Sequence, residues 1–140
     1  MYALLHEEPS LGGLAAVGNV AKKHPQLTVL IAHSGGSYAF AESAAALARK
    51  FPNVNAELTL TPVTNGVVEW LCGEIGPQRV FFGTDAPMRD PRPQLGWVVF
   101  TRLPERAKRM ILGENFMRIL ARGKLPGHAL PAAFRRNSEK

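Results

Sequence analysis

The sequence has almost no sulfur chemistry at its disposal. Cys72 is the one cysteine among 140 residues, which excludes an internal disulfide, and its place in an apolar helical stretch makes it small core filler rather than a reactive thiol. No apolar run approaches the roughly 20 residues that cross a bilayer. The opening Met1–Leu5 run stops at His6-Glu7-Glu8 with no basic segment before it and no small-residue cleavage site after it, so it does not read as a signal peptide. A cytoplasmic location is the resulting expectation. Phosphate-binding glycine motifs are missing as well: there is neither a G-x-G-x-x-G nor a P-loop spacing.

What is present is a globular composition, 46% hydrophobic and 20% charged, with a net charge of +6 distributed unevenly. Residues 1–101 carry seven Lys/Arg against eight Asp/Glu, whereas residues 102–140 carry ten against three. The basic excess therefore belongs to the last helix and the tail, and reads as a solvated helix face followed by a flexible basic segment over 124–140. Phe134 is the tail's single aromatic, too few for stacking on single-stranded bases. Neither a nucleic-acid nor a membrane partner is expected.

Along the chain a short apolar run alternates with an amphipathic helix. Tyr2–Leu5 reads as a strand and Leu11–Lys23 as a helix with Leu14, Val17 and Ala21 on one face, ended by Pro25. Leu27–Ala32 is a continuous apolar, β-branched run, the pattern of a strand buried on both faces. Ser37 can cap a helix reaching Lys50, with Phe40, Ala44, Leu47 and Phe51 as its buried stripe. Val54–Leu60 alternates as a strand, Val63–Glu74 reads as a helix stopped at Gly76-Pro77, and Arg79–Gly83 as a fourth strand. A Pro-rich loop leads to a helical stretch near Leu95–Arg102. Pro104 opens a last helix, Glu105–Ala121, in which Gly113 is a candidate break and Gly123 a candidate cap. Four β-then-α units with short connections predict a parallel α/β sheet; the pattern alone does not separate half a barrel from a doubly wound sheet.

Functional side chains in such folds gather where strands end. Those positions hold His6, then His33 with Gly35 and Gly36, then Glu57 and Thr59, then Asp85. Imidazoles and carboxylates at neighbouring strand ends are the raw material of a divalent-metal or acid–base site. Singly, each has an ordinary structural reading: a hydrogen-bonded histidine, a capping aspartate. The glycine pair could bring backbone N–H groups to an anion or could simply permit a tight turn. Arg89 and Arg92, in the loop after Asp85, could grip a substrate carboxylate or be exposed loop charges. His24 and His128 fit no motif and read as surface residues.

LTVLIAHSGGSYAF resembles the sixth-strand region of the amidohydrolase-related family that includes aminocarboxymuconate-semialdehyde decarboxylase and related lactonases. KFPNVNAELTL resembles its seventh strand, RVFFGTDAP its eighth, and ERAKRMILGENFMRIL its closing helix. The short run ending at His6 resembles the fifth strand. The resemblance implies the C-terminal half of a TIM (β/α)8 barrel over residues 1–123, and a metal-dependent hydrolase or non-oxidative decarboxylase (lyase) acting on a small carboxylated or cyclic substrate. It implies that Asp85 is a metal ligand and general base or proton shuttle, that His33 is catalytic, and that His6 is a metal ligand, with Zn2+ the expected ion. Glu57, Arg89 and Arg92 are the candidate substrate contacts, with Thr59 beside Glu57 as a group that could orient its neighbours. The sequence departs from the family in having no H-x-H, the metal pair of the family's first strand. The expectations are therefore a truncated chain that associates with itself or with the missing N-terminal half, or a catalytically silent half barrel that serves as a binding module. Both sheet edges, at the first and fourth strands, are expected to be open.

Overall fold

The structure, a computed structural model, describes residues 2–5, 11–59 and 64–122, with the backbone alone for 2–5, 11 and 12. The expectations for His6, His128, Gly123 and the basic tail fall outside the described residues. Four strands, β1 (Tyr2–Leu5), β2 (Thr28–Ile31), β3 (Val54–Glu57) and β4 (Val80–Phe81), form one sheet in the order β1-β2-β3-β4. All three pairings are parallel. Each new strand is added on the same side of the last, with no reversal of strand order. A doubly wound sheet requires such a reversal, so the topology is that of a barrel segment.

The helices α1 (Leu11–Lys23), α2 (Tyr38–Lys50) and α3 (Val67–Ile75) connect the strands. Register shows why one face of the sheet takes them. Ile31, Ala56 and Val80 are cross-strand partners, and together with Val29, Val54 and Leu58 they join a core with Val17, Ala21, Phe40, Ala44, Val67 and Leu71. Successive strand residues point to opposite faces, so Leu30, Asn55, Glu57 and Phe81 look into the barrel side. The Ser37 hydroxyl accepts from the Phe40 N–H at 3.2 Å and caps α2 as expected. The Arg79 guanidinium donates to Ala48 and Phe51 carbonyls at 2.5 and 3.0 Å, and also to that of Val54, tying the end of α2 to the start of β3. Cys72 is core, as expected, and burial pushes its thiol up to about 12.

Several boundaries move. The helix expected from Val63 begins at Val67, after Gly66 at φ 77°. The helix expected near Leu95–Arg102 is α4 (Arg92–Val99), and the last helix is three pieces: α5 (Glu105–Arg109), a π turn (Met110–Glu114) and α6 (Asn115–Arg122). In the π turn the Asn115 N–H bonds the Met110 carbonyl instead of that of Ile111. The Ile111 carbonyl accepts from Phe82 N–H at 3.1 Å, and the Asn115 side-chain amide donates to Pro77 and Val80 carbonyls, each at 2.7 Å. The outer edge of β4 is thus closed by the chain's own C-terminal helix, which corrects the expectation of two open edges. Outside β1, no strand pairs among the described residues.

Candidate active site

At the C-terminal end of β2 the chain makes a tight turn at His33, whose φ is 60°. The Gly36 N–H returns to the His33 carbonyl at 3.0 Å, and the Ser34 N–H reaches across to the Glu57 carbonyl at 2.9 Å. At the corresponding end of β4, Asp85 has φ 61°. These are the two non-glycine residues with positive φ among those described. A left-handed backbone costs an L-residue on the order of 1 kcal/mol, and here that strain falls on the two residues expected to be catalytic.

Glu57 and Thr59 lie between them on β3 and the strand's continuation. The Glu57 carboxylate is 5% exposed. It accepts from the Thr59 N–H at 3.1 Å and from the Thr59 hydroxyl. The His33 ring Nδ1 in turn pairs with the Thr59 carbonyl. A carbonyl can only accept, so Nδ1 carries a proton. Burial pushes the Glu57 carboxyl above its usual 4.5; the Thr59 hydrogen bonds lower it, the charge on Asp85 raises it further, and the His33 N–H lowers it. Asp85 is therefore within electrostatic reach of Glu57.

The loops around these groups are cross-braced. The Trp97 ring on α4 packs on Gly35, where a Cβ would lie 3.0 Å from Cζ3 and closer still to Cη2. The indole N–H donates to the Thr64 carbonyl at 3.0 Å, and the Thr64 hydroxyl donates to the Gly36 carbonyl at 3.2 Å. Close packing beneath a tryptophan, together with the turn, accounts for the glycine pair without an anion. Gly83 has a similar reason, since a Cβ there would run into the Glu57 and Thr59 side-chain oxygens. Neither requirement is visible in sequence, because each depends on a side chain from a distant strand or helix; the glycine in RVFFGTDAP is the one available signal.

Arg89 lies beside Asp85, Nε to Oδ2 3.8 Å. Arg92 is 87% exposed and turned to Asp90 at 2.5 Å, and this pairing holds the Asp90 carboxyl down to about 2. His24 is exposed, as expected. A cavity of about 390 Å³, lined by Thr28, Asn55, Phe81, Asn115, Arg118 and Arg122 among others, opens at the N-terminal ends of the strands, the opposite end from His33 and Asp85. Catalytic groups of (β/α)8 barrels stand at the C-terminal ends, so the strand-end cluster is the candidate site.

A catalytic zinc site takes three protein ligands. Among the described residues no group of three or more His, Cys, Asp or Glu can hold a metal ion. The Glu57 carboxylate is taken up by Thr59. Asp85 and the His33 ring, whose Nδ1 pairs with a carbonyl, remain as candidate ligands, and two do not make a site. The described residues alone do not fit a metal.

One-way winding and ionisable groups at the C-terminal strand ends define a segment of a (β/α)8 barrel. The chain belongs to the amidohydrolase family, whose model matches residues 10–122. No curated protein matches it significantly, but solved structures do. A TIM-barrel protein from Bordetella bronchiseptica, itself uncharacterised, superposes with a TM-score of 0.68 at 21% identity, over 86% of this chain and 46% of its own. For 5-carboxyvanillate decarboxylase from Sphingomonas paucimobilis the TM-score is 0.58 at 17% identity, over 76% and 39%. For 2,6-dihydroxybenzoate decarboxylase from Rhizobium it is 0.59 at 16%, over 81% and 43%. The chain thus spans less than half the length of these structures and shares their fold as part of a barrel. None of its described helices is long and apolar enough to cross a membrane.

Proposed function

We propose that the chain contributes the strand five-to-eight half of a metal-dependent amidohydrolase-type enzyme, with residues 1–123 as the barrel part. Non-oxidative decarboxylation of a small aromatic carboxylate is the reaction this reading favours, with hydrolysis as the family's wider chemistry. One observation carries the proposal: His33 and Asp85 stand at the ends of β2 and β4, both in left-handed backbone, with a buried carboxylate between them that holds Thr59, the partner of the His33 ring, and lies in reach of the Asp85 charge. Backbone strain of this kind persists where the surrounding structure enforces it, and it clusters at functional sites. Two of the structural neighbours are decarboxylases of carboxylated phenols, which supports the substrate class.

In such a reaction the bond from ring carbon to carboxylate breaks, CO2 leaves, and a proton must reach the ring carbon. Asp85 is the half-buried carboxylate placed to hold and move that proton. His33, with its Nδ1 proton held by the Thr59 carbonyl, supplies the imidazole. Arg89, beside Asp85, can pair with the substrate carboxylate. A polypeptide carrying the family's H-x-H strand would supply the ligands that the described residues lack, and His6 would join them from β1's end. The test is CO2 release from 2,6-dihydroxybenzoate or 5-carboxyvanillate by the barrel completed with such a polypeptide. Asp85→Asn and His33→Asn should each lower kcat by about 100-fold or more. Turnover unchanged by both substitutions would defeat the proposal.

A further inference from the structure

We infer that Glu57 is a positioning residue: it ties together the ends of three strands, and its carboxylate, by holding Thr59, fixes the ring of His33 in a single tautomer. The inference rests on the reading that His33 works in the site, and it assigns Glu57 a task different from touching substrate.

The clamp is built from contacts on β2, β3 and β4. The carboxylate receives the Thr59 N–H at 3.1 Å together with the Thr59 hydroxyl, and the Glu57 carbonyl receives the Ser34 N–H at 2.9 Å, next to the left-handed turn at His33. Thr59 is also the residue whose carbonyl receives the His33 ring. The Glu57 carboxylate therefore holds the residue whose carbonyl orients the imidazole. From β4, Gly83 leaves the space that the carboxylate fills, and a methyl group there would run into both Glu57 and Thr59. Gly83 is two residues before Asp85, so the same packing contact sets the start of the turn that carries the second catalytic candidate. Glu57 is 5% exposed, and its carboxylate, with the N–H and hydroxyl of Thr59 as donors, has its acceptor capacity directed into the protein. That is the arrangement by which an outer carboxylate orients a working histidine.

The experiment uses the 140-residue chain, 15N-labelled, and reads the tautomer of His33 from the long-range proton–nitrogen spectrum of its imidazole. The unsubstituted chain should show one tautomer, protonated at Nδ1. Glu57→Ala and Gly83→Ala should each replace it with an averaged pattern, and Glu57→Gln, which keeps an acceptor oxygen, should preserve it. Amide dispersion of the β2–β3 core shows whether each variant is folded. If Glu57→Ala does not fold, the unsubstituted chain and Gly83→Ala decide the question. A His33 protonated at Nε2 in the unsubstituted chain, or a fixed Nδ1 tautomer surviving in folded Glu57→Ala and Gly83→Ala, would overturn the clamp. The spectrum needs no turnover, so failure of the clamp is distinguishable from failure of the proposed reaction, which the Asp85→Asn and His33→Asn assays read.

Discussion

At Glu57, burial raises the carboxyl above its ordinary 4.5 and Asp85 adds to the rise against the pull of the Thr59 hydrogen bonds. The sign of the consequence follows from proton counting. Between 4.5 and the raised value, the folded chain holds more protons than the unfolded one, so this group's contribution to stability falls as pH rises through that window. Glu57→Gln removes the titration; the urea midpoint of the variant relative to the unsubstituted chain should therefore increase from acid toward neutral pH. A difference independent of pH would contradict the buried-carboxylate account. Gly83→Ala should cost about 1–3 kcal/mol by overpacking, read as a lower urea midpoint at unchanged slope. His33, Glu57, Thr59 and Asp85 were legible in sequence because strand-end position and two-residue alternation are properties of the local chain. The positive φ at His33 and Asp85, and the seating of Trp97 on Gly35, were not, since they depend on which strand lies beside which.

The elements themselves were legible from periodicity, and their ends less so. VNAELTL alternates as far as Leu60, yet β3 stops at Glu57, because its carboxylate captures the Thr59 N–H. RVFFG reads as five strand residues, yet β4 is Val80–Phe81, since Phe82 gives its N–H to Ile111. The sequence marks a break at Gly113, and the structure places a π turn there, whose altered bonding is what brings the Ile111 carbonyl to β4. Asn115 is buried at 1% exposure, and its two carbonyl partners belong to the segment entering β4. Asn115→Ala leaves those carbonyls without this donor and should cost about 1–3 kcal/mol, measured by urea unfolding. A loss below a few tenths would show that the helix does not hold the edge.

For the whole molecule, the closure of β4 makes the two edges unequal. Two copies joined head to tail, or strands completing the barrel, would have to displace Ile111 and Asn115 to pair with β4, so pairing at β1 is the less hindered of the two. Sedimentation of the chain should show concentration-dependent association, and a well-folded monomer across the accessible range would count against an exposed β1 edge. The match to less than half of each solved barrel and the absence of a three-ligand metal group among the described residues lead to the same view. On the proposed reading, His33 and Asp85 are part of a site that other strands complete. The most direct measurement of that claim is CO2 release from 2,6-dihydroxybenzoate by the 140-residue chain with added Zn2+, alone and together with a polypeptide bearing the H-x-H strand. The account predicts no turnover by the chain alone and metal-dependent turnover by the pair, abolished by Asp85→Asn. Metal-dependent turnover by the chain alone, abolished by the same substitution, would contradict it.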